Sequence, residues 1–150
     1  SNAHTLDWSG NAWYSGDVYV GGSSQSDGKK LVSLTTTKAT ITSLSSGWTV
    51  YGSSTTPTVR KFGNSVSLTG ALKNSSALTL NTSHVQVFTI PEGYRPSQDI
   101  VAVCQGSGAN RYVLQITTAG VVSIGRYGTT SFTEVSSGSW FPFHVTWIME

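Results

Sequence analysis

Three places in the chain set an aromatic ring beside a polar group suited to sugars: Arg111-Tyr112, Arg126-Tyr127, and the pair Trp140 and His144. A saccharide site needs aromatic faces for the C–H side of a pyranose, with planar donors and acceptors for its hydroxyls. Arg111-Tyr112 follows the loop Gly106-Ser107-Gly108-Ala109-Asn110, whose glycines permit close approach of a ligand. Arg126-Tyr127-Gly128 ends the next strand, so the two pairs fall at opposite ends of one hairpin or on adjacent loops. For a ligand carrying phosphate, Arg111 or Arg126 would supply the bidentate partner. Structural roles compete at each place. Tyr112 shares a face with Leu114 and Ile116 and suits a core. Trp140 and His144 suit a contact between subunits, and Arg126-Tyr127 suits a plain strand end.

Catalytic chemistry has little to work with. The 3 histidines, His4, His84 and His144, stand in no metal-ligand spacing with another His, Cys or acid. No Gly-x-Ser-x-Gly elbow occurs, and no glycine-rich loop leads into a helix. A glycoside hydrolase needs paired acids. Asp7, Asp17, Asp27, Glu92, Asp99, Glu134 and Glu150 mostly sit at turns or ends, where turn and cap roles account for them. Cys104 is the 1 cysteine, which excludes an internal disulfide and a Cys-based metal site. Its apolar neighbours suggest a buried, inert thiol. The chain reads as a non-enzyme without catalytic residues, metal or cofactor.

The elements that position these residues are strands. The 24 Ser and 20 Thr far outnumber the 9 basic and 7 acidic side chains, a surface that helices do not use. Thr, Val, Ile, Tyr and Trp favour strands, while Ser, Gly and Asn favour turns. The expected fold is all-β, an antiparallel sandwich or barrel. A net charge of +2, with Lys29-Lys30 and Arg60-Lys61 as the basic pairs, leaves no nucleic-acid footprint. No apolar run reaches membrane-spanning length, so no membrane insertion is expected.

Three stretches differ in texture. Residues 1–3 read as an expression-tag remnant. Residues 4–47 read as a stem or shoulder and its connector, where Trp8, Trp13, Tyr14 and Tyr19 need cover that the segment cannot supply. Residues 48–150 read as a head with strands at the 8–12 residue spacing of a sandwich. Gly63-Asn64 and Thr118-Ala119-Gly120 mark hairpin turns. The apolar run Ile100–Gln105 predicts a central strand. In the last strand Phe141, Phe143, Val145, Trp147 and Met149 share a core face. Trp140, Pro142, His144, Thr146 and Ile148 form a second face, apolar enough to meet another sheet or subunit.

Trp48, the run Pro57-Thr58-Val59-Arg60-Lys61-Phe62-Gly63-Asn64-Ser65-Val66-Ser67-Leu68-Thr69-Gly70, and Ile90-Pro91-Glu92-Gly93-Tyr94-Arg95-Pro96 together resemble bacteriophage tail-fibre heads. Val113-Leu114-Gln115-Ile116-Thr117-Thr118-Ala119-Gly120-Val121-Val122 continues the pattern. Trp13 to Gly22 is similar to the stretch before such heads in tail and prophage proteins. The resemblance implies a homotrimer, with an N-terminal stem joining other tail proteins and a C-terminal head gripping a surface receptor. It implies binding of saccharide or glycerol phosphate of bacterial wall polymers, near subunit boundaries, by Trp, His, Asp and Arg. No motif carries those roles onto particular positions here. The implied location is the virion tail, acting outside the cell after synthesis in the bacterial cytoplasm. A purely structural fibre component and a hydrolase of surface polymer remain alternatives.

Overall fold

The computed structural model describes residues 36–149 and, before them, the backbone of four short strands: β1 His4–Leu6, β2 Ala12–Tyr14, β3 Tyr19–Val20 and β4 Lys29–Lys30. β1 pairs antiparallel with β2, and β3 with β4. The expected burial of Trp8, Trp13, Tyr14 and Tyr19 concerns side chains outside the described residues. The chain divides into two compact units, Ser1–Leu34 and Thr35–Glu150.

The second unit contains β5 Thr36–Thr40, β6 Trp48–Val50, β7 Thr58–Phe62, β8 Ser65–Asn74, β9 Leu78–Thr79, β10 Val85–Thr89, β11 Ile100–Gln105, β12 Arg111–Ile116, β13 Val121–Gly128, β14 Glu134–Val135 and β15 Trp140–Ile148. One 3-10 turn, Ser53–Thr55, interrupts them, and no α-helix occurs among the described residues. One antiparallel sheet runs β15-β8-β7-β5, with β6 beside β8 past the end of β7. The other runs β10-β13-β12-β11. β9 and β14 form a small separate ladder. Neither main sheet closes into a barrel, so the sandwich half of the expectation describes the architecture.

Local chemistry sets the hairpins. Phe62 pairs with Ser65 across Gly63-Asn64, and Gly63 has φ 58°. A positive φ at the first turn residue suits glycine and matches the twist of the flanking strands. At the β12–β13 turn, Gly120 N–H donates to the Thr117 carbonyl at 2.8 Å and Thr117 N–H to that of Val121 at 3.0 Å. Both turns fall where the sequence places them.

β15 alternates as expected. Phe141, Phe143, Val145 and Trp147 are buried, while Trp140, His144, Thr146 and Ile148 are exposed. The core between the sheets centres on Phe141, whose ring lies 5.2 Å from Trp48, 5.2 Å from Tyr112 and 5.4 Å from Tyr127. Phe88 and Phe143 meet at 5.8 Å. These contacts join β15 and β6 of one sheet to β10, β12 and β13 of the other.

Two expectations change. Ile100–Gln105 is an edge strand rather than a central one, because β12 alone pairs with it. Its Ile100, Ala102 and Cys104 lie against the core, while Val101 and Val103 stand 65% and 70% exposed. The compact unit also starts at Thr35 rather than at Trp48. The Thr-rich stretch read as a connector is β5, paired along its length with β7. Ile41 is buried, with its N–H donating to the Pro57 carbonyl at 2.8 Å, and Leu44 bridges to Phe88.

The Tyr112 hydroxyl ties the two sheets, donating to the Pro142 carbonyl. Burial, followed by charge and hydrogen-bond coupling to Cys104, raises the Tyr112 pKa well above its ordinary value. Burial also raises Cys104, opposed in part by its hydrogen bond with Tyr112.

Two outcomes follow from this packing. Removal of residues 1–34 is expected to preserve cooperative unfolding of the sandwich, whereas removal of 1–47 strips β5 and the Ile41 side chain. Ile41 alone contributes roughly 2 kcal/mol through burial, so the shorter chain loses its sharp urea transition by circular dichroism. The second outcome concerns pH. Folded Tyr112 holds its proton more tightly than the unfolded chain does, so its stabilising effect is complete below about pH 10 and falls as pH rises further. Tyr112→Phe costs about 1–2 kcal/mol near neutrality by orphaning the Pro142 carbonyl. It also flattens the alkaline decline of the urea midpoint.

Candidate functional site

A β-bulge brings Arg111 and Arg126 together. β12 and β13 pair in step through Leu114↔Ile124 and Val113↔Gly125, then resume at Arg111↔Gly128. Tyr112 therefore opposes two residues, Arg126 and Tyr127. Strict alternation from the buried Ile124 would turn Arg126 inward and Tyr127 outward. The extra residue reverses both: Arg126 is exposed and Tyr127 is buried. Arg126 adopts φ 54°, the one non-glycine positive φ among the described residues. That left-handed position of a bulge is one that glycine normally fills. The far edge of β13 is held as well, since Arg126 N–H donates to the Asn81 carbonyl at 2.7 Å and Tyr127 N–H to that of Leu80 at 2.9 Å.

A tight loop follows the bulge. Gly128 bridges antiparallel to Phe132, and Thr133 N–H donates to the Tyr127 carbonyl at 3.0 Å. Gly128 has φ 153°, and a Cβ there would collide with the Ser131 carbonyl oxygen. Glycine is what lets this loop close.

Between the loop, Arg111 and the edge strand lies an open depression of about 170 Å³, lined by Val103, Arg111, Arg126, Gly128, Thr129, Thr130, Ser131 and Phe132. Arg111 and Arg126 both line it, and no carboxylate does. Three hydroxyls supply donors and acceptors, and Phe132, 48% exposed, offers a ring face. An arrangement of this kind can hold an oxygen-rich or anionic group. It contains no side chain able to accept a proton near neutral pH.

The six residues singled out in the sequence separate into three groups. Arg111 and Arg126 share the depression, at the open end of one hairpin. Tyr112 and Tyr127 are both buried in the core against Phe141, because strand alternation and the bulge point them inward; for Tyr112 this is the core role that its face-sharing with Leu114 and Ile116 suited. Trp140 and His144 lie on the outer face of the other sheet, opposite Lys73 and Thr69 respectively. Four residues along a strand separate those two by about 13 Å. The Trp140 ring has that of Tyr51 at 6.2 Å, and the Trp140 backbone N–H donates to Ser107 Oγ at 2.8 Å. Neither lines the depression.

The residues that complete the depression were not singled out in the sequence. Gly128-Thr129-Thr130-Ser131 reads as an ordinary turn. Phe132, a lone aromatic within that polar loop, was the available signal. Val103 was hidden in an apolar run.

Among the described residues no cluster of His, Cys, Asp and Glu suits a metal ion, and no helix is long and apolar enough to cross a membrane. Fold and site together define an antiparallel β-sandwich bearing an open cationic depression. No protein-family model matches the chain, and no curated protein matches it in sequence.

The bulge and its loop make opposite demands on two neighbouring positions. Gly128→Ala is expected to destabilise the sandwich by about 2 kcal/mol or more, through strain and the clash with Ser131. Arg126→Gly relieves a left-handed side chain worth about 1–2 kcal/mol, against about 0.5–1 kcal/mol of added chain entropy. Urea denaturation is expected to show Arg126→Gly at least as stable as the parent chain. A clear loss there would mean the guanidinium itself supports the fold.

Proposed function

We propose that this chain is the receptor-binding part of a bacteriophage or prophage tail fibre, a non-catalytic homotrimer whose sandwich grips a bacterial surface saccharide. The observation that carries the reading is the depression around Arg111 and Arg126. Its two planar donor groups, three hydroxyls and half-exposed Phe132 are the groups sugar recognition requires. Self-association is supported by apolar side chains on two strands with free edges: Val101 and Val103 on β11, and Ile148, 62% exposed, on β15. Such surfaces ordinarily meet a partner. In this reading the N-terminal unit joins other tail proteins and the chain works at the virion tail.

The test is retention of the purified chain on a panel of bacterial wall preparations and a glycan array. Saturable binding to at least one of them, lost in Arg111→Gln and Arg126→Gly, is the expected result. Retention on none assigns the chain to the structural part of a fibre, and release of reducing sugar from the bound polymer would make it a hydrolase. Sedimentation equilibrium of the same material is expected to return three copies. A monomer at micromolar concentration removes the trimer without touching the binding result.

A further inference from the structure

We propose that the depression reads charge: it takes an acidic saccharide, seating carboxylate or phosphate oxygens between the Arg111 and Arg126 guanidiniums. This inference rests on the saccharide reading above and narrows it to one ligand class.

Arg111 and Arg126 lie in the paired ends of β12 and β13 and line the same small space, which contains no carboxylate. Like charges gathered at one place repel unless an anion is shared between them. The other arginines of the sandwich are engaged with the protein. Arg60 Nη1 donates to Thr69 Oγ1 at 3.4 Å, and Arg95 Nε donates to the Ile90 carbonyl at 3.0 Å. Among the described residues neither the Arg111 nor the Arg126 side chain has such an acceptor, and both residues line the depression.

Arg126 sits at φ 54°, where glycine would hold the same bulge without strain. The backbone therefore does not ask for arginine, and the fold gives up stability to keep one. Strain of this kind collects where a side chain has a task outside the fold. Here the bulge leaves Arg126 exposed, lining the same depression as Arg111, and returns Tyr127 to the core.

The depression has a volume of about 170 Å³. It suits one charged group with part of its ring rather than an oligosaccharide. Thr129, Thr130 and Ser131 supply hydroxyls for the remaining oxygens, and the ring of Phe132 can cover C–H groups. Guanidinium forks match both carboxylate and phosphate geometry, so the shared chemistry is an oxyanion carried on a sugar.

The experiment is an amide chemical-shift titration of the ¹⁵N-labelled full chain with sodium glucuronate, glucose 6-phosphate and glucose, all at one ionic strength. Saturable shifts of the Gly128–Phe132 amides by either acid in the millimolar range are expected, with glucose at least tenfold weaker. The acid that binds more tightly separates carboxylate from phosphate. Arg111→Gln and Arg126→Gly are each expected to weaken acid binding at least tenfold while the rest of the spectrum stays in place. Equal shifts from glucose would overturn the charge inference and leave the saccharide reading standing. Acid shifts that persist unchanged in both variants would overturn it too. So would silence of these amides toward all three probes in a chain that still binds walls, and the binding would then lie on another surface. Acid binding here by a chain that no wall preparation retains supports the anion site and sinks the receptor reading alone.

Discussion

The candidate site depends on where Tyr112 and Tyr127 place their rings. Both pack against Phe141, at 5.2 and 5.4 Å, in the centre of the sandwich. With Tyr112 inward, ordinary alternation turns Arg111 outward at no cost. Tyr127 is different, because its place in β13 would leave it facing solvent without the bulge. Burying an aromatic side chain of this size is worth roughly 2–3 kcal/mol, while a left-handed residue costs about 1–2 kcal/mol. The unbulged register would also drive the Arg126 guanidinium into the core, a desolvation of several kcal/mol. Burial and desolvation together outweigh the strain, so the bulge is the stable solution. The outward Arg126 is its consequence.

The same constraint explains the loop that completes the depression. Once the register has slipped, Gly128 pairs with Arg111 on one side and bridges to Phe132 on the other. A side chain at 128 would collide with Ser131, so the loop folds back only over a glycine. That fold brings the hydroxyls of Thr129, Thr130 and Ser131 beside Arg126. Val103 supplies the opposite wall because β11 is an edge strand, with one set of side chains against the core and the other in solvent. Val103 thus belongs both to the depression and to the exposed apolar strip of β11.

Much of this was legible in the sequence, and the exceptions have physical causes. The period-two pattern of β15, the Gly63-Asn64 turn and the Thr118–Gly120 turn are local signals, and each fold element stands where its residues place it. Arg111 and Arg126 stood out as planar donors. The bulge did not, because the residue in its left-handed position is arginine, where a sequence reading expects glycine. Without the bulge, Tyr127 and Arg126 cannot be assigned to faces. β11 misled because Ile100-Val101-Ala102-Val103-Cys104 is apolar on both faces, which conceals the alternation that separates an edge from a central strand. β5 misled in the other direction. Thr36-Thr37-Lys38 carries little apolar surface, yet threonine is a good strand former and an edge strand needs few buried side chains.

The chemistry of the depression also bears on what kind of function it can support. Guanidiniums remain protonated at any physiological pH and only donate, and serine or threonine hydroxyls are too weakly acidic or basic to move a proton unaided. Such a set can hold an oxyanion and orient a sugar, but the depression itself offers no general acid or base for breaking a glycosidic bond. It is also shallow, so a single copy touches few ligand atoms and gains little beyond the cost of association. Weak binding is useful where several copies act on one repetitive polymer, because linked sites raise avidity without any new contact. Under the proposed function, the exposed valines of β11 and Ile148 of β15 would supply apolar surface for joining copies, and a repeating wall polymer would supply the repeated ligand. The proposed assembly and the proposed site therefore need each other: the site is too small to hold a surface alone, and the assembly gives its weakness a use.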